Sequence, residues 1–449
     1  MRKPNIVFVL ADQWRRQAAG FAGNPQVATP NLDRLAAESL EMTHAVIGMP
    51  VCCPYRASLL SGQSPVNHGV LVNDVPLDPD APSLGKTLKN SGYDTAWIGK
   101  WHVDGHGRTS YIPPERRQGF DYWKVLECTH DYNHSLYYAH DETEPRVWDG
   151  YDAFAQTDDA IGYIRDRAAG DKPFALFLSW GPPHNPYNTA PPEYRKLYDP
   201  AKIELRPNVP SADAERARED LAGYYAHCTA LDAAMGRLLD AIDDANIREN
   251  TLVIFTSDHG DMLGSQGEQR KQLPYEESIR VPMLLRWPAR FGERASSNAA
   301  LIDAPDLMPT LLGLCGVPCP DTVDGRDFTA CLDGGDDPSG GAVLLMQPAP
   351  FGEWYKRGGC VSFRGVRTAR WTYVRTHDGP WLLYDNLADP YQLHNRINDP
   401  ACQRTLAELE QQLQRKLAEI GDEFESAQAY LDRFGWAINE RGGTVPVFK

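Results

Sequence analysis

Four short runs in this chain, Ile6–Leu10, Thr95–Gly99, Phe174–Ser179 and Thr251–Thr256, are dominated by apolar, β-branched and aromatic residues. Runs of this kind fit strands buried on both faces, as in a parallel sheet covered by helices, better than strands wetted on one side. Each run is followed by polar residues that can carry chemistry: Asp12 and Gln13, Lys100 and His102, His184, then Asp258 and His259. Open α/β sheets bind ligands at the carboxyl ends of their strands. Four such coincidences therefore predict one convergent site.

The segments between these runs read as helices. Thr29 is a candidate N-cap with Pro30 at the first helical position. Leu84–Lys89 reads as a helix ended at Ser91-Gly92, and residues 214–244 carry the ladder Leu231, Met235, Leu238, Leu239 and Ile242. Val281–Leu285 offers a fifth strand, and Asp306–Leu314 a closing helix. Residues 333–341 are rich in Gly, Asp and Pro and read as a linker. Beyond them, residues 360–376 alternate apolar and polar, and Trp381–Asp385 follows an Asp378-Gly379 turn, which predicts an antiparallel hairpin. Residues 402–424 form an amphipathic pattern through Leu406, Leu409, Leu413 and Leu417. The expected fold is α/β, with a mostly parallel central sheet flanked by helices. The catalytic domain is expected over residues 1–340, followed by an antiparallel sheet-plus-helix subdomain over 341–449.

With 449 residues and 42% apolar composition the chain can bury a large core. Its formal net charge of -16 opposes nucleic acid and anionic membrane surfaces as partners, though a basic pocket for an anionic substrate is compatible with it. The basic start, Met1-Arg2-Lys3, precedes an apolar run too short for a signal peptide, and no later run is long enough to span a bilayer. Nine cysteines form no dense disulfide framework, and Cys315 and Cys319 lack a second pair for zinc. These features predict a cytoplasmic enzyme, with its oligomeric state left open.

Asp12 and Asp258 are natural ligands for a hard cation, with Gln13 and His259 able to add an oxygen and a nitrogen. A divalent ion there would polarise an anionic ester. Read singly, Asp12 is also a strand-end residue and Asp258-His259-Gly260 a turn. Lys100 and His102, two apart on an extended segment, could point into one pocket. His184, between prolines, could be held to transfer protons, or could simply pack a loop. Lys271 could equally be solvated. The stretch Val51-Cys52-Cys53-Pro54-Tyr55-Arg56 sets a thiol near a cation at a candidate helix start, a setting for a reactive thiolate. Arg56 requires an anionic partner if buried.

Taken together, Asp12, Thr29-Pro30-Asn31-Leu32-Asp33, Cys52-x-Pro54-x-Arg56, Gly99-Lys100-Trp101-His102, Pro183-His184-x-Pro186 and Ser257-Asp258-His259-Gly260-Asp261 resemble, in order and spacing, the type I formylglycine-dependent sulfatases of the alkaline-phosphatase-like superfamily. The late segments Arg364–Tyr373 and Leu383–Pro390 resemble that family's small domain. The resemblance implies that Cys52 is oxidised by a formylglycine-generating maturation enzyme and becomes both nucleophile and metal ligand. It implies Asp12, Gln13, Asp258 and His259 as the other ligands of one divalent ion, calcium first and manganese or magnesium as alternatives. Arg56 and Lys100 then stabilise the aldehyde hydrate and sulfate oxygens, His102 helps remove the hydrate proton, and His184 and Lys271 flank the leaving oxygen. One hydrate hydroxyl attacks sulfur and the alcohol departs. Loss of a proton from the other hydroxyl then expels sulfate and restores the aldehyde.

Three residues depart from the commonest family pattern: Tyr55 for serine, Gln13 for a second aspartate, and His259 for asparagine. Members with altered ligands include phosphonate monoester and phosphodiester hydrolases, the main alternative activity. A cysteine-nucleophile hydrolase and a catalytically silent binding protein are further alternatives. A sulfated carbohydrate or other small organic sulfate is the expected substrate, with Cys128–Tyr138, His106 and Trp354 as candidate sugar-binding residues.

Overall fold

The structure is a computed structural model that describes residues 3–352, 361–439 and 444–445. Its main sheet contains β1 (Asn5–Asp12), β2 (Leu40–Ala45), β3 (Asp94–Lys100), β4 (Tyr122–Leu126), β5 (Leu136–Ala139), β6 (Arg146–Val147), β7 (Phe174–Pro183), β8 (Thr251–Ser257), β9 (Met283–Arg286) and β10 (Ser296–Ile302). The spatial order is β10-β2-β9-β8-β1-β7-β3-β4-β5-β6. The central strands β8, β1, β7, β3 and β4 pair in parallel, while β9, β5 and β6 join antiparallel.

The uninterrupted apolar run of β1 follows from burial on both sides. Ile6, Phe8 and Leu10 enter one core with the helix Cys52–Ser61, while Val7, Val9 and Ala11 enter another with the long helix Ala214–Asp244. Alternate residues of a strand face opposite ways, so both sets must be apolar. Among the described residues, no helix is long and apolar enough to cross a membrane.

The smaller sheet is antiparallel in the order β11 (Ala342–Gln347), β12 (Phe363–Thr368), β13 (Trp371–Thr376), β14 (Gly379–Asp385). One face packs Val366, Tyr373 and Leu383 against Leu409, Leu413 and Leu417 of the helix Gln403–Ile420. The other packs Val343, Leu345 and Phe363 against Val46, Ile279 and Leu301 of the larger unit.

Several local expectations change. Thr29 makes no side-chain cap to the following helix; its hydroxyl instead accepts from the Gly20 amide at 2.7 Å. The alternating segment 360–376 contains two strands, with a turn between Thr368 and Trp371. Cys360 lies outside the described residues. The amphipathic helix stops at Ile420 because Gly421 adopts φ 68°, a left-handed conformation that glycine tolerates best.

A buried ion pair joins the two units: Arg367 of β12 donates to both Glu276 carboxylate oxygens at 2.9 and 3.0 Å. Burial pushes the Glu276 carboxyl up, but Arg367 pulls it down to about 2. Arg367→Ala should destabilise in chemical denaturation, but by less than the ~3–5 kcal/mol of a fully stranded buried charge, because Arg280 Nη1 still faces Glu276 at 3.4 Å. The Glu276→Gln/Arg367→Met double variant should lose less. The folded carboxyl value lies below the unfolded one, so this stabilisation is complete above roughly pH 5 and is lost as pH falls toward 2. The stability gap between wild type and the double variant should narrow across that window.

Candidate active site

Strand register brings the site together. Leu10 pairs with Thr256 and Ala11 with Ser257, so Asp12 and Asp258 emerge side by side from β1 and β8. The Asp258 amide donates to the Ala11 carbonyl at 3.2 Å, and the Gln13 amide donates to Asp258 Oδ1 at 3.0 Å. The Ser257 hydroxyl accepts from the Trp14 amide at 2.7 Å, fixing the turn after β1. Lys100 ends β3 after Gly99, where φ is 98° and an added Cβ would lie 2.1 Å from the Ser179 carbonyl oxygen. Glycine thus permits the close strand approach that delivers Lys100.

The helix Cys52–Ser61 starts at Cys52 and is buried throughout. Cys52 and Arg56 are four residues apart and so share a helix face. Pro54 falls in the first turn, where a missing amide proton costs little. Arg56 Nη2 lies 3.2 Å from Asp258 Oδ2 and 3.5 Å from Asp12 Oδ2, and its Nη1 donates to the Lys100 carbonyl and Ser179 hydroxyl at 3.0 and 2.7 Å. Around Cys52 Sγ stand His259 Nε2 at 3.1 Å, Lys271 Nζ at 3.4 Å and Asp12 Oδ1 at 3.7 Å. Lys100 Nζ donates to Asp12 Oδ2 at 2.5 Å.

The charges are strongly coupled. Burial disfavours ionised Asp12, yet Lys100 and the cationic surroundings hold its carboxyl well below the usual range. Burial and the Asp12 charge push Asp258 up. For Cys52, burial and Asp12 raise the thiol, but Lys100, Lys271 and His259 draw it well below its ordinary value. Burial, then Lys271, depresses His184. Its Nδ1 faces the Asn185 carbonyl at 2.9 Å and so donates, leaving Nε2 to accept from Lys271 Nζ at 2.7 Å. Burial disfavours charged His102, but Cys128, Cys53 and Asp74 raise it well above an ordinary imidazole. His102 Nε2 meets Asp74 Oδ1 at 3.1 Å, and Arg108 grips Asp74 at 2.9 and 2.8 Å.

Asp12, Cys52, Asp258 and His259 offer ligand atoms that all lie within 4.8 Å of one another. His259 Nδ1 donates to the Gly260 carbonyl at 3.0 Å, which turns the Nε2 lone pair toward the cluster. Two carboxylates with an imidazole fit a divalent cation, and a dication would let both carboxylates ionise. Gln13 approaches from the side: its Oε1 accepts from Lys271 at 2.9 Å and its Nε2 donates to Asp261 at 2.7 Å.

All ten sequence-predicted site residues are buried; nine are linked by these contacts, and His102 joins them by lining the same cavity as Cys52 and Lys100. Lys100 and His102 do line one cavity, of about 270 Å³, but not along an extended segment, since His102 has φ 61°. Of Cys128–Tyr138, His130 reaches that cavity and stacks on His184 with ring centroids 4.7 Å apart. Tyr132 is buried, and Tyr137 stacks on Trp148. His106 contacts the Asp104 carbonyl and does not line the cavity. Trp354 lies outside the described residues. Sequence reading missed Asp74, Arg108 and Gln272, and gave Asp261 no role beyond its place in the 257–261 motif. Asp74 and Gln272 have positive φ, which a sequence pattern does not register.

A family model for sulfatases matches residues 4–317. The chain belongs to the sulfatase family. A second model, for the C-terminal part of N-sulphoglucosamine sulphohydrolase, matches residues 264–419. An ulvan-active sulfatase of Formosa agariphila is 43% identical over 449 residues, spanning 100% of this chain and 87% of its own. An endo-4-O-sulfatase of Bacteroides thetaiotaomicron is 31% identical, covering 96% of this chain and 95% of its own. A solved Bacteroides fragilis structure described as the sulfatase yidJ superposes with a TM-score of 0.86 at 30% identity, covering 96% of this chain and 98% of that one. This sulfatase is therefore a sulfuric ester hydrolase, with a buried Cys/Asp/His cluster able to hold a divalent metal.

Removing a ligand should remove the metal. Asp258→Ala and His259→Ala should weaken divalent-ion binding by more than the ~10–100-fold typical of outer-shell changes. Elemental analysis after gel filtration reads the loss, with circular dichroism checking the fold.

Proposed function

We propose that this sulfatase hydrolyses a sulfate ester on a carbohydrate, using a formylglycine made from Cys52 by a maturation enzyme and one calcium ion. The observation that carries the reading is the convergence of Asp12, His259 and Lys271 on Cys52 Sγ, the place the oxygens of the matured side chain would take. The hydrated aldehyde supplies one hydroxyl to attack sulfur and a second through which sulfate is later expelled. Asp12, Gln13, Asp258, His259 and residue 52 would hold the ion, which would supply positive charge toward the ester. Calcium is preferred over manganese or magnesium because maturation replaces sulfur by oxygen, making the donor set chiefly oxygen. The saccharide assignment draws on the relatives active on ulvan and as an endo-4-O-sulfatase.

The chain's own groups then divide the work. Arg56 and Lys100 bind the sulfate and hydrate oxygens, and Arg56 also holds Asp258 in place. His102, held through Nε2 by Asp74, is the group assigned to the hydrate proton, which it takes only as the neutral imidazole. Lys271 Nζ holds the proton nearest the leaving oxygen, and neutral His184 orients it through Nε2. In this reading residues 1–340 form the catalytic domain, 341–449 the C-terminal subdomain, and the enzyme works in the cytoplasm.

Peptide mass analysis of the natively matured protein should find Cys52 converted; active protein with an intact cysteine would reject the mechanism. Turnover of 4-nitrophenyl sulfate should exceed that of a matched phosphonate monoester and phosphodiester, and the reverse order would overturn the sulfate assignment. His184→Ala and Lys271→Met should lower kcat on a sugar sulfate by ~10²–10⁴. Their effect on 4-nitrophenyl sulfate should be smaller, because nitrophenolate departs without a proton. Equal losses on both substrates would remove these residues from the leaving-group role.

A further inference from the structure

A second cavity, of about 1060 Å³, adjoins the catalytic one. Arg270 lines both. The two side chains assigned to the leaving-group side continue along the backbone into its walls: His184 into Asn185 and Pro186, Lys271 into Arg270 and Gln269. The remaining wall comes from the helix Pro192–Arg195, Lys196, and the first turns of the helix Ala214–Asp244.

Size separates the two spaces. Pockets for small ligands run to roughly 300–1,000 Å³. The catalytic cavity sits just under that range, suited to a sulfate and part of one ring. The groove sits at its top, far more than a lone sulfated sugar requires.

Charge separates them from the rest of the molecule. Arg195, Lys196, Arg216 and Arg270 line the groove against two carboxylates, Glu219 and Asp220. This surface is net positive on a chain of charge -16. Arg195 and Lys196 are exposed, and Arg216 has an ion-pair partner outside the groove lining, Asp213 at 2.7 Å. The groove therefore offers an excess of positive charge, with guanidinium groups suited to carboxylated or sulfated sugars.

We infer that this groove binds the anionic sugars next to the one being desulfated, so that the enzyme acts on sulfate esters within a polyanionic saccharide chain. The inference rests on the saccharide reading above and extends it from one sugar to a chain. Sugars on the alcohol side of the ester leave the catalytic cavity past His184 and Lys271 and meet Arg270, then Arg195 and Lys196.

The test measures inhibition of 4-nitrophenyl sulfate hydrolysis by sulfated, uronate-containing di- and hexasaccharides. It uses matured wild type and an Arg195→Ser/Lys196→Ser variant, neither residue belonging to the catalytic site. In wild type the hexasaccharide should bind at least ~10-fold tighter than the disaccharide, and 0.5 M salt, with a Debye length of a few Å, should erase most of that advantage. In the variant the length advantage should collapse while 4-nitrophenyl sulfate kcat/KM stays within about twofold. No length dependence in wild type, or one that survives in the variant, would overturn the groove. Calorimetry of the same oligosaccharides with Cys52→Ala protein reads the groove without turnover. A matured enzyme that binds them in the expected way yet hydrolyses no sulfate ester would refute the catalytic reading and leave the groove standing.

Discussion

Two buried carboxylates at adjacent strand ends set the terms for this molecule. Asp12 and Asp258 leave β1 and β8 in register, fully shielded from water. Their ligand oxygens lie within 4.8 Å of one another, where like charges repel by ~3 kcal/mol or more even at an effective dielectric of 20. Such a pair persists only if cations surround it. Arg56 spans both carboxylates, Lys100 closes on Asp12, and a divalent ion fits among the remaining donors. The rest of the site follows from that demand. Holding Arg56 against the aspartates requires a helix there, and residue 52, one turn earlier on the same face, is carried into the cluster.

This dependence explains how much was legible in the sequence. Strands buried on both faces reveal themselves as apolar runs, and the residues after them must lie at the carboxyl edge, so Asp12, Lys100, His184 and Asp258 could be placed before any coordinates. The Cys52-x-Pro54-x-Arg56 stretch was legible as a thiol near a cation at a helix start, and the structure makes it the first turn of the helix itself. What escaped reading lacks periodicity or depends on long-range contact. Strands β2 and β10 at one edge are partly exposed and polar. Asp74 bends through a positive φ in a segment without a motif, yet it sets the environment of His102. Thr29 looked like a cap, but its hydroxyl is engaged by the Gly20 amide from an earlier loop. The 128–138 segment, aromatic and polar, suggested a sugar platform. Most of it is packing, because Tyr132 and Tyr137 find partners within the fold, and only His130 reaches the cavity.

The site is also asymmetric in a way that bears on chemistry. On one side of residue 52, Arg56, Lys100 and the two aspartates form a rigid, water-free charge lattice. Preorganised charge of this kind needs no rearrangement during reaction, which is where it contributes most. On the other side, Lys271 and His184 form a proton-bearing wall that opens into a broad basic groove. The first half is built for the sulfate group common to all esters of this class. The second half meets the variable alcohol, and there this chain can differ from its relatives while keeping the same chemistry.

Residue 52 as the proposed nucleophile needs two oxygens, one to take the sulfate and one to release it. A Cys52→Ser protein has only the first. Mixed with excess 4-nitrophenyl sulfate, it should release nitrophenol in a single stoichiometric burst and retain sulfate covalently on residue 52, visible by peptide mass spectrometry. Sustained turnover by this variant, or nitrophenol release with no sulfate on residue 52, would contradict the account.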